Sequence, residues 1–219
     1  MFFQHIITVI MCVVCLVLQP ACAEPVYSPR DFVSSAPAEL FYTEDEMSEE
    51  EKRVLVRGGF KKKVKFDCSA WGVAAESSDR IVLQYCADSF VVVHVFRGLR
   101  DPKSALVAVS SVRASGRASD LTMFRASKGQ KEFAPLTQQQ LAELGVRELT
   151  ENDFLKEAQR FSPGEAQPVR LALSDSGELH GELMTWMDPR WEDREQAYEV
   201  AFVWRQGSFE QVKRDISGK

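Results

Sequence analysis

The spacing of apolar residues changes character along this chain, and each change marks a different kind of element. From Phe2 to Leu18 the residues FFQHIITVIMCVVCLVL form an apolar run without a formal charge. From Ser48 to Arg57 the pattern is that of a short helix. Ser48 and Glu51 make a capping box, acidic residues crowd the first turn where the helix dipole favours them, and Gly58-Gly59 supplies a stop. After Gly59 the period becomes two, the spacing of strands whose faces differ in solvation.

FKKKVKFDC, from Phe60, places Lys61, Lys63 and Lys65 on one face and Phe60, Lys62, Val64 and Phe66 on the other. It reads as a strand whose lysines guard a sheet edge, although a basic stripe can also dock an anionic polymer such as envelope phosphates. RIVLQYCADSFVVVHVF reads as a hairpin turning at Ala87-Asp88-Ser89, and SALVAVSSVRA and DLTMFRAS continue the β pattern. Two short helices then interrupt it. One runs from Thr137 to Gly145, with a Thr137/Gln140 capping box and a glycine stop. The other runs from Thr150 to about Phe161, ended by Ser162-Pro163-Gly164. The last fifty or so residues hold two more hairpins, VRLALSDSGELHGELMTW around Asp175-Ser176-Gly177 and YEVAFVWRQGSFEQV around Gln206-Gly207. In the latter, Tyr198, Val200, Phe202 and Trp204 share a face, and such a row at strand spacing is read as core.

Strands follow strands through short turns, so the expected fold is α+β with β dominant. It is an antiparallel curved sheet or sandwich of about eight strands, with about three short helices at its ends or on one face. The globular domain is expected over residues 43–219. Residues 24–42, with Pro25, Pro29 and Pro37 among Ser and Ala, are expected to form an extended or loosely ordered leader.

The apolar N-terminal run has the length of a signal-peptide core and falls short of the roughly 20 residues that span a bilayer. Ala21-Cys22-Ala23 supplies the small residues of a cleavage site, so the chain is expected to be exported, periplasmic or secreted, with residues 1–23 removed and no membrane span left. The run carries His5 but no Lys or Arg, which leaves retention as an anchor the alternative.

Cleavage changes the cysteine count from five to two, Cys68 and Cys86. An even pair in an exported chain reads as a disulfide. No CxxC occurs and no histidine lies between the two thiols, so no metal site is expected. The six acids between Glu44 and Glu51 lack the spaced ligands and turn glycine of a calcium loop. All 27 basic and 32 acidic residues lie after the apolar run, and a net charge of −5 argues against nucleic acid as a general partner.

Catalytic machinery is hard to assemble from the rest. The three histidines are His5, His94 inside VVVHVF, and His180 in a strand. No GxSxG, HExxH, P-loop, GxGxxG or SxxK occurs. No catalytic residue and no cofactor is therefore assigned. The patch selected for partner contact is the loop MDPRWEDRE, with Trp191 as anchor among Asp188, Arg190, Glu192 and Arg194. The functional expectation is an exported non-catalytic binding protein, of inhibitor, immunity or assembly type, acting on another envelope or extracellular protein. The alternative is an exported hydrolase using paired carboxylates on a glycan or other envelope substrate.

Overall fold

A computed structural model describes residues 27–217 apart from 44, 102, 113–118, 156–168, 175–176 and 185–195. The expected signal segment, the Trp191 loop with Asp188, Arg190, Glu192 and Arg194, and the Asp175-Ser176 turn lie outside the described residues.

Among the described residues, nine strands form two antiparallel meanders. The first sheet is β1 (Gly72–Glu76), β2 (Arg80–Cys86), β3 (Ser89–Phe96), β4 (Ser104–Val112) and β5 (Ser119–Ser127), side by side in chain order. The second is β6 (Val169–Leu173), β7 (Leu179–Leu183), β8 (Tyr198–Arg205) and β9 (Ser208–Asp215), again in chain order. Helices α1 (Pro29–Ser35), α2 (Glu49–Arg57) and α3 (Gln138–Glu143) all begin with capping boxes, on Ser28/Asp31, Ser48/Glu51 and Thr137/Gln140. The β-dominant α+β fold expected from the periodicity is the fold observed.

The first sheet is the middle layer, and this explains why β3 and β4 read as almost continuous apolar runs. A sheet covered on both faces has no wet side on which to place polar residues. Val91, Val93, Val95, Val107 and Phe124 point into a core closed by the N-terminal segment. Val92, Phe96, Leu106 and Met123 point into a second core shared with the other sheet, through Leu179, Val200, Phe202 and Phe209. Residues 144–155 feed Leu144, Val146, Leu149 and Phe154 into that second core.

From Tyr27 on, the segment expected as a loose leader is instead part of the first core, while residues 24–26 lie outside the described residues. Ser28-Pro29 opens α1, and Phe32 is fully buried against the rings of Phe41, Phe124 and Phe133, at centroid distances of 6.2, 5.7 and 5.2 Å. Pro29 sits at the first position of α1 and Pro37 precedes the 3₁₀ turn Ala38–Leu40, so neither keeps Tyr27, Phe32, Val33 and Phe41 from closing over the sheet.

A second correction concerns FKKKVKFDC, which forms no strand. Lys62 makes a single parallel bridge to Val73 of β1, and the amide of Lys63 donates to the Val73 carbonyl at 3.0 Å. Left-handed conformations at Phe60 (φ 55°) and Cys68 (φ 60°) bracket the stretch, and Val64 is wholly exposed. The lysines still lie along the edge of β1, but of the expected apolar face only Phe60 reaches the core, while Phe66 is half-buried and Val64 stands in water. Of the helix expected over Thr150 to about Phe161, residues 150–155 show only a 3₁₀ turn, Glu151–Asp153, and residues 156–161 lie outside the described residues.

Cys68 and Cys86 are bonded, with their Cα atoms 4.5 Å apart, which ties the lysine stretch to the β2–β3 turn. Closing a loop of this size contributes about 3 kcal/mol on the chain-entropy account. The β8–β9 turn has positive φ at both Gln206 (49°) and Gly207 (93°), the primed geometry that matches strand twist. No helix among the described residues is long and apolar enough to cross a membrane.

Candidate functional site

The two sheets part where edge strand β5 faces edge strand β6, and a groove of about 690 Å³ opens there. Its floor continues the second core outward. Leu121 of β5, Leu136 just before α3, Leu141 within α3, and Val169 and Leu171 of β6 all line it, and each is only half-buried. Strand alternation explains the β6 pair: Val169, Leu171 and Leu173 share the inner face, opposite Leu183, Gly181 and Leu179 in register. Apolar side chains left half in water at the mouth of a core are candidate contact surface, because covering them removes more area from water.

Charged groups fixed in place stand on either side. Arg147 donates to both carboxylate oxygens of Asp153 and, through Nε, to Gln211 Oε1 at 2.6 Å. Burial pushes the Asp153 carboxyl up, but hydrogen bonds from Arg147 and the Thr150 amide outweigh it and hold the group below the usual carboxylate range. On the β6 side, Arg170 Nε donates to Glu182 Oε2 at 2.7 Å, and His180 Nε2 lies 3.1 Å from Glu182 Oε1. The hydrogen bond from His180, joined by Arg170 and opposed by burial, brings the Glu182 carboxyl down to about 2. The same bond raises His180 above its ordinary value, against desolvation.

His180 and Glu182 belong to a trough of about 430 Å³ on the outer face of the second sheet. His180 is flanked in register by Ala172 and Ala201, whose side chains are small. Arg170 borders the groove and binds Glu182 of the trough, so it joins the two.

Stability should follow this cluster in a predictable way. A raised His180 contributes fully below about pH 6.5 and loses its contribution as pH rises through the folded value. A depressed Glu182 contributes above about pH 4.5 and loses its contribution as pH falls toward 2. The difference in thermal midpoint between wild type and Glu182→Gln should therefore be largest between about pH 4.5 and 6.5 and shrink on both sides. A difference that stayed constant from about pH 2 to well above about pH 6.5 would show the pair to be uncoupled.

Val200 and Phe202 of the aromatic row are buried core, and Trp204 packs on Phe96 and Phe209 while its Nε1 donates to the Arg97 carbonyl. His94 is a buried sheet residue whose Nδ1 faces Gly177 without a hydrogen-bond partner among the described residues. Burial lowers its pKa. Among the described residues no group of three or more His, Cys, Asp or Glu side chains could hold a metal ion. The groove itself escaped the sequence reading, because its floor joins positions fifty residues apart that no local spacing connects.

No protein-family model matches the chain. No curated protein matches it either. Among solved structures it is similar to a domain of an uncharacterized protein from Porphyromonas gingivalis W83, with 15% identity, 75% of this chain and 90% of that chain covered, and a TM-score of 0.46.

Proposed function

We propose that this chain is an exported binding protein, periplasmic or secreted after cleavage near Ala23, that grips an extended segment of another envelope or extracellular protein in the groove between β5 and β6. The observation that carries this reading is the row of half-buried apolar side chains, Leu121, Leu136, Leu141, Val169 and Leu171, lying between two sheet edges. An extended peptide suits such a place: the Leu136 amide already takes the Met123 carbonyl of β5, so edge strand β6 is the one to offer backbone hydrogen bonds, and the apolar floor takes alternate side chains. The Cys68–Cys86 bond supports an oxidising compartment.

The hydrolase alternative requires one carboxyl held protonated to serve as the acid. Glu182, Asp153, Asp79 and Glu76 are all shifted the other way, each held by hydrogen bonds in its ionised form.

The test is capture from native envelope extract by the purified protein, compared with Leu141→Arg. Leu141 is half-buried on α3 and packs against the second core, so the two proteins are compared at a temperature where both are folded, and the variant should lose at least tenfold in the amount of any specific partner recovered. Equal recovery by both proteins would remove the groove from the account. Mass spectrometry of the native product should show an N-terminus at Glu24; an intact Met1 would remove cleavage.

A further inference from the structure

Residues 53–65 read RVLVRGGFKKKVK, six basic residues without an acid, in a chain whose net charge is −5. The charge is thus segregated, and the structure places this segment on the surface. Arg53, Arg57, Lys61, Lys62 and Lys65 are all exposed. The two large hydrophobic residues most exposed among the described residues, Val54 at 60% and Val64 at 102%, fall in the same thirteen positions. Isolated exposed valines need no explanation, but a fully exposed one set among unpaired lysines is a specific combination.

The segment is also held firmly. Leu55 and Phe60 are buried and joined by a backbone bond of 3.1 Å through the Gly58-Gly59 turn. Lys63 is spent on structure, since its Nζ donates to the Ala70 carbonyl at 2.9 Å and its side chain covers Gly72. The Cys68–Cys86 bond fixes the far end. Nearby acids are engaged elsewhere. Arg53 pairs with Glu50, Glu76 is taken by Arg30, and Asp67 accepts from the Ser69 hydroxyl. Lys61, Lys62 and Lys65 make no salt bridge among the described residues.

We propose that this segment docks the protein on the surface of an anionic phospholipid bilayer, with Lys61, Lys62 and Lys65 against the headgroup phosphates and Val64 inserted between them. Charge complementarity selects the partner class, and Val64 selects a bilayer over a soluble polyanion. A basic cluster gains from either, whereas only an interface with an apolar interior gains from a bare valine. Docking here is independent of the groove, which is lined by other residues, so either proposal can fail without the other.

The experiment is co-flotation of the protein, as recovered from its envelope, with vesicles of equimolar phosphatidylglycerol and phosphatidylcholine and with vesicles of phosphatidylcholine alone. The readout is the ratio of the two affinities, because an apolar N-terminus, where retained, raises both and leaves their ratio to the lysines. Each of Lys61→Gln, Lys62→Gln and Lys65→Gln should lower the ratio about fivefold, and the triple variant about a hundredfold. Val64→Asn should weaken binding to the anionic vesicles by about threefold to tenfold. All these side chains are solvated, so thermal midpoints should not move. A triple variant with the wild-type ratio overturns the proposal. So does binding that ignores Val64→Asn while heparin is bound with the same lysine dependence, which would assign the surface to soluble polyanions.

Discussion

Phe32→Ala should cost about 3–5 kcal/mol of unfolding free energy, a loss read as a lowered urea midpoint with an unchanged slope. Phe32 has no exposed surface and touches three other rings: Phe41 of the N-terminal segment, Phe124 of the middle sheet and Phe133 in the connection after β5. Truncation leaves a cavity whose walls are a five-stranded sheet and a capped helix, neither of which can collapse freely to fill it. In a chain of this length the expected fall in thermal midpoint is about 6–20 °C. Phe66→Ala is the control, because Phe66 is half-exposed in the lysine stretch and should cost no more than about 1 kcal/mol. Periodicity alone ranks these two the other way, with Phe66 on the packed face of a strand and Phe32 in a leader. The order of the two losses therefore tests both corrections at once, and a costlier Phe66→Ala would reinstate the sequence reading.

The contrast between these phenylalanines shows what was legible. Hairpins were readable wherever alternation met a turn residue, as at Gln206-Gly207, because one local fact fixes both strands and their register. Helices were readable where a capping box preceded them. The same signal was present at Ser28-Pro29-Arg30-Asp31 and was masked by the prolines around it, although a proline at the first helical position is itself a start signal. FKKKVKFDC fails for the opposite reason. Alternation describes how a strand would face a core, not whether a neighbouring strand exists to pair with it, and here only one bridge to Val73 forms.

Of the candidate site, the sequence supplied the parts and not the assembly. Arg170 and Glu182 become partners through the β6–β7 register, and Leu121 meets Leu171 only because two separate meanders bring their edge strands together. Such contacts depend on tertiary packing that the hydrophobic pattern leaves open. Charge segregation over residues 53–65 was visible as composition, but its significance depends on Val64 lacking a packing partner, which only the fold reveals.

Gly145→Val should destabilise by about 3–5 kcal/mol, although it adds apolar bulk near a core. Gly145 follows α3 at φ 91°, in the left-handed region that a β-branched residue occupies only at a cost of about 1–2 kcal/mol. A Cβ there would stand 2.1 Å from the carbonyl oxygen of Phe209. That oxygen cannot easily retreat, since the Phe209 amide donates to the Leu144 carbonyl at 2.6 Å and its ring is buried in the second core. Gly129→Val separates the two causes. Its φ is 84° but nothing lies within 4 Å of the added Cβ, so only the backbone cost of about 1–2 kcal/mol should appear. Equal losses at the two glycines, measured as urea midpoints, would mean that the contact with β9 is not tight. The clash also has a functional consequence. Residues 146–149 leave this contact to place Arg147 and Leu149 beside the groove, so Gly145→Val, assayed where it remains folded, should lose partner capture while Gly129→Val retains it.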